Sequence, residues 1–142
     1  MKFRDLFSLK YILFALLIFA VMIPCMIIQS NNTVRIDVDE TEVFIRSSRY
    51  QMLIGYEIIE SLELVPMPES GEEQNDDSFD DGVVRYGDWK NSTWGVYSIC
   101  ADLDVETCVV AHLNDGRTFV FNRKSAEETE SIYQQILAKL PA

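Results

Sequence analysis

A chain of 142 residues with 48% hydrophobic residues is long enough to bury one ordinary core and too short for two large domains. Its formal charge of −11 sits almost wholly after the first ten residues: residues 11–142 hold nine basic against 22 acidic groups. A surface that acidic repels phosphate backbones and anionic headgroups, which excludes nucleic-acid binding and lipid-surface docking as the main work of the domain.

The first element is the run YILFALLIFAVMIPCMII, which opens at Tyr11, closes at Ile28 and carries no charge. As a helix it rises about 27 Å, close to bilayer hydrocarbon thickness, so residues 11–28 are expected to form a transmembrane helix in contact with the lipid bilayer. Lys2, Arg4 and Lys10 precede it, whereas Asp37, Asp39 and Glu40 soon follow it. This asymmetry predicts a retained signal anchor: a cytoplasmic tail over 1–10, a single pass through the cell membrane and an extracytoplasmic C-terminal domain. A signal-processed form would differ only in whether residues 1–30 persist. Pro24 is placed to kink the helix, and Cys25 within it is expected to stay free.

Residues 29–33 read as a polar linker, and 34–142 as one β domain. Val34, Ile36 and Val38 alternate with Arg35 and Asp37. Val43 and Ile45 repeat the pattern after Asp39-Glu40-Thr41, which predicts a hairpin. Residues 50–54 form a third strand. Residues 58–65 fit either a strand or a helical turn.

The stretch 66–82, PMPESGEEQNDDSFDDG, holds seven acidic residues and one aromatic, Phe79. It reads as an exposed, mobile acidic loop, because so little apolar surface cannot offset its ordering entropy. Counted from Asp77 in a calcium-loop frame, Asp81, Gly82 and Asp88 fall at positions five, six and twelve. Phe79 then occupies a ligand position, and no helices flank the loop.

Residues 83–97 place Trp89, Trp94 and Tyr97 on strand, turn and strand. A meander of 96–101, 107–113 and 118–121 follows, its second turn at Asn114-Asp115-Gly116. If the first two of these strands pair about Asp104, opposed residue numbers sum to 208, as those of Cys100 and Cys108 do. Their Cα atoms would then lie roughly 5 Å apart, within reach of a disulfide. The alternative is a pair of buried, inert thiols. Ser125 with Glu128 forms a capping box for a closing helix, whose stripe of Ile132, Tyr133, Ile136, Leu137 and Leu140 is expected to cover the sheet.

No chemistry is spelled out. The one histidine, His112, lies in an apolar strand without a nucleophile motif, and with Cys100 and Cys108 it makes too small a set for zinc. No cofactor is expected. Asn31 and Asn91 head N-x-T sequons.

The order of elements and residues 82–137 resemble the membrane-anchored bacterial pleckstrin-homology-like (PH-like) families. The resemblance rests on Trp94-Gly95, Asp115-Gly116, Phe121-Asn122 and the spacing from Tyr133 to Leu137, and it extends over about 34–140. It implies a mainly β domain with one C-terminal α-helix, a PH-like partly open β-barrel of about seven strands. It further implies a non-enzymatic module that binds or assembles an unknown protein partner or ligand. The basic loop by which the wider fold holds phosphoinositides is replaced here by Asp37-Val38-Asp39-Glu40-Thr41-Glu42, so no phosphoinositide is expected. The alternative is a divalent-cation-dependent enzyme using Asp77, Asp81 or Asp88.

Overall fold

The structure is a computed structural model that describes residues 3–31 and 33–142, and the side chains of 9–24 and 33–142. It falls into two units, Met1–Asn32 and Thr33–Ala142. The first is one helix, α1 (Phe3–Asn31), in which Pro24 is accommodated and which runs through most of the expected linker. Its described side chains, among them Leu13, Phe14, Leu17 and Phe19, are exposed.

Among the described residues no helix is long and apolar enough to cross a membrane. This overturns the transmembrane helix at 11–28 and its bilayer contact. The signal anchor and the single-pass, extracytoplasmic placement fall with it. Lys2 and the side chains of Arg4, Cys25 and Asn31 lie outside what the structure describes.

The second unit holds ten strands in two sheets and one helix, α2 (Ala126–Leu137). In the first sheet β1 (Arg35–Val38), β2 (Glu42–Arg46) and β3 (Gln51–Gly55) run antiparallel in that order. The alternation read from the sequence is the cause: Ile36, Val43, Ile45, Met52 and Ile54 share one face and are buried. The Tyr56 hydroxyl lies 2.7 and 2.8 Å from the carbonyl oxygens of Asp39 and Glu42, tying off the β1–β2 turn.

A single 3-10 turn at Tyr56–Ile58 then carries the chain into the second sheet. This has seven strands: β4 (Ile59–Pro66), β5 (Glu72–Glu73), β6 (Phe79–Asp80), β7 (Val84–Asn91), β8 (Gly95–Asp102), β9 (Thr107–Leu113) and β10 (Thr118–Phe121). Their order is β4-β9-β10-β8-β7-β5, with β6 also on β7. The expected PH-like barrel of about seven strands is therefore corrected to two sheets without a closed barrel. The break is physical: the chain leaves the first sheet at the 3-10 turn, and no strand of that sheet pairs with the second.

The expected meander fails at its first step. β10 inserts between β8 and β9, parallel to the former and antiparallel to the latter, so β8 and β9 are not neighbours. Asn122, fully buried, makes this possible. Its side chain accepts from the Asp102 N–H at 2.7 Å and donates to the carbonyls of Asp102 and Thr107 at 2.9 and 3.2 Å, satisfying backbone that a hairpin would have paired. The β9–β10 hairpin does form at Asn114-Asp115-Gly116, but as a turn in which only Gly116 takes positive φ (89°) and its N–H bonds the Leu113 carbonyl.

One face of the second sheet packs on the first sheet and on α2, where Ile136 is wholly buried; a side chain of that size contributes roughly 1.5–3 kcal/mol when fully buried. Ser125 caps α2 by accepting from the Glu128 N–H at 3.1 Å, while the Glu128 carboxylate turns to Arg123 at 3.2 Å rather than back to the cap. Leu137, expected in the apolar stripe, is exposed. The opposite face of the sheet carries a second cluster of Trp89, Tyr97, Ile99, Ala101, Cys108, Val110 and Val120.

Candidate functional site

The inserted strand decides the fate of the two thiols. Phe121 of β10 pairs with Cys100 on one side and with Val109 on the other, which turns Cys108, next to Val109, to the opposite face. Cys100 thus lies in the core between the sheets and Cys108 in the second cluster. Both are free and fully buried, so the expected bridge is replaced by two separate thiols. Burial pushes each up to about 12. Such groups behave as small apolar side chains rather than nucleophiles. His112 is half-buried on β9, with its Nδ1 3.1 Å from the Thr118 hydroxyl.

The acidic stretch is largely exposed, as expected, yet it is tied to the second sheet. β5 and β6 pair with β7, the Phe79 ring stacks on Tyr86 at 4.9 Å, and Tyr86 stacks in turn on Tyr50 at 5.6 Å. The Ser78 hydroxyl donates to the Asp88 carbonyl at 2.7 Å. Gly87 is needed where the chain crosses: a Cβ there would stand 2.6 Å from the Ser78 Cα.

The three carboxylates considered for a cation do separate work. Asp81 accepts from the backbone N–H groups of Val83 and Val84, Asp88 accepts from Ser98 at 2.6 Å and from Asn75 at 2.9 Å, and Asp77 borders a cavity of about 470 Å³ beside Tyr50 and Phe79. Among the described residues no three His, Cys, Asp or Glu side chains are grouped to hold a metal ion.

A larger groove, of about 820 Å³, runs between the end of β4, residues 68–72 and the β7–β8 hairpin. The hairpin is shaped by Asn91, whose Oδ1 accepts from the N–H groups of Thr93 and Trp94 at 3.1 and 2.8 Å. That turn presents Trp94 to the groove, held edge-on against Tyr97 at 5.4 Å. Val65, Pro66 and Pro68 supply the remaining apolar wall, and Glu63, Glu69 and Glu72 face a single cation, Lys90.

On the second sheet's cluster-bearing face lies Arg85, buried and salt-bridged to Asp80 at 2.8 Å, with its guanidinium 5.2 Å from the Trp89 ring centre. Its Nη1 and the Tyr97 hydroxyl are both buried and find no hydrogen-bond partner outside this pair among the described residues. Burial raises the Tyr97 phenol above its ordinary range, opposed by the Arg85 charge.

Sequence reasoning found the aromatic residues of this region but not the groove. Its walls come from 63–72 and 90–94, and no local pattern announces that the two meet.

Comparison with family models, with curated proteins and with solved structures found no match. The PH-like resemblance therefore stands on its short motifs alone. Trp94-Gly95 belongs to the groove hairpin, Asp115-Gly116 to the β9–β10 turn and Phe121-Asn122 to the end of β10.

Proposed function

We propose that residues 33–142 form a non-enzymatic binding module whose recognition surface is the groove between the end of β4 and the β7–β8 hairpin. One observation carries this reading. The groove combines a partly exposed indole, two prolines and an acidic rim, with neither histidine nor cysteine in its lining to serve a nucleophile. The motifs resembling PH-like families point the same way, toward binding.

The test is selection of peptides against the full-length chain from a random library. Enriched peptides are expected to compete with one another and to weaken at least about tenfold against Trp94→Ala, the loss of one well-placed aromatic contact. Trp94→Phe should restore much of the binding. Peptides indifferent to both substitutions would place recognition elsewhere and remove the groove from the argument.

A further inference from the structure

The chemistry of the groove also specifies its occupant, an inference that rests on the binding reading above. Glu63 and Val65 lie two residues apart on β4, so both project from one face of that strand. β4 ends the seven-stranded sheet: β9 covers one of its edges, and no described strand covers the other. The groove is lined by the end of a terminal strand, and a strand edge left free suits a ligand that is itself extended.

Charge sets the rest. Glu63, Glu69 and Glu72 outnumber Lys90 in the lining, and the chain as a whole carries −11. Phosphate-bearing or acidic ligands would meet repulsion from both sources. Trp94 is only half-buried, so part of its ring remains open to a planar cation, and the fork of an arginine fits both an indole face and a carboxylate. Pro66 and Pro68 offer an apolar wall with no backbone N–H to satisfy.

We infer that the groove takes a short, extended, arginine- or lysine-rich polypeptide segment, with its basic side chains on Glu63, Glu69 and Glu72 and one guanidinium against Trp94. The partner is a protein with an exposed basic strand or tail.

The experiment titrates the full-length chain with a fluorescently labelled octapeptide of alternating arginine and proline, and with its glutamate-proline counterpart, by anisotropy. The arginine peptide is expected to bind and the glutamate peptide not. Glu63→Gln, Glu69→Gln and Glu72→Gln together should weaken binding about tenfold, since three exposed ion pairs of a few tenths of a kcal/mol each sum to that ratio. Glu57→Gln, Glu127→Gln and Glu130→Gln, exposed and outside the groove lining, change net charge equally and should weaken it less than about twofold.

Equal weakening by the two triple variants would show general charge attraction and overturn the inference. Failure of the arginine peptide, with neutral or acidic library peptides still competing at Trp94, would overturn the ligand class and leave the binding reading standing. Absence of any Trp94-dependent ligand would overturn both.

Discussion

Asn122 is the residue on which the strand order turns, because its side chain replaces the hairpin hydrogen bonds that the β8–β9 connection forgoes. Truncation to alanine takes the Asn122 partner from the part-buried Asp102 N–H and from two part-buried carbonyls, so Asn122→Ala should lose about 3 kcal/mol in urea unfolding. A loss under about 1 kcal/mol would mean that other groups hold the connection. The thiols of Cys100 and Cys108 make a second test at this scale. They stay protonated in the fold up to about 12 but ionise near 9 once unfolded. Their contribution is thus complete below about pH 9 and is lost as pH climbs toward 12, by up to about 1.4 kcal/mol per pH unit for each thiol. Tyr50, Tyr56 and Tyr97, also raised by burial, act in the same direction. Stability measured between pH 8 and 11 should therefore fall, and the fall should be shallower in Cys100→Ala/Cys108→Ala. In the native state neither thiol should react with iodoacetamide, and both should react after unfolding without reductant.

At the scale of elements, the acidic stretch behaves as part of the second sheet. Asp80 neutralises Arg85, whose side chain is 8% exposed, so Asp80→Ala leaves a charge buried against Trp89. It should cost roughly 3 kcal/mol by thermal or urea unfolding, and adding Arg85→Met should recover part of that. Deleting residues 72–80 should lower the melting temperature by well over 5 °C, because Ser78, Phe79 and Asp80 all bond or stack on β7. An unchanged melting point would return the segment to the status of a mobile loop. The closing helix offers a smaller effect: Ser125→Ala removes the cap on the Glu128 N–H and should cost about 1 kcal/mol.

For the molecule as a whole, Thr33–Ala142 contains both apolar clusters and all ten strands. Expressed alone, it should unfold in one cooperative transition with a melting temperature close to that of the full chain, checked by circular dichroism. Two transitions would show that the two sheets, which share the core around Val43, Ile54, Phe121 and Ile136, fold as separate units.

The sequence by itself determined what is local. Alternation at 34–46 and short apolar runs bounded by turns at 107–121 set strands, Asp115-Gly116 set a turn, and Ser125 started a helix, since each depends on neighbours a few residues away. Only the tertiary structure decided which strands adjoin. A period of two says which side of a strand is apolar but not which strand lies beside it, so the insertion of β10, and with it the separation of Cys100 from Cys108, could not be read from register arithmetic. Composition failed at 66–82 for a related reason: it averaged one aromatic and seven carboxylates, whereas docking depended on Phe79 meeting Tyr86 and Asp80 meeting a buried arginine. The groove joins 63–72 to 90–94 through contacts that no window of sequence contains. Distance along the chain, rather than any weakness of the local signal, is what hid it.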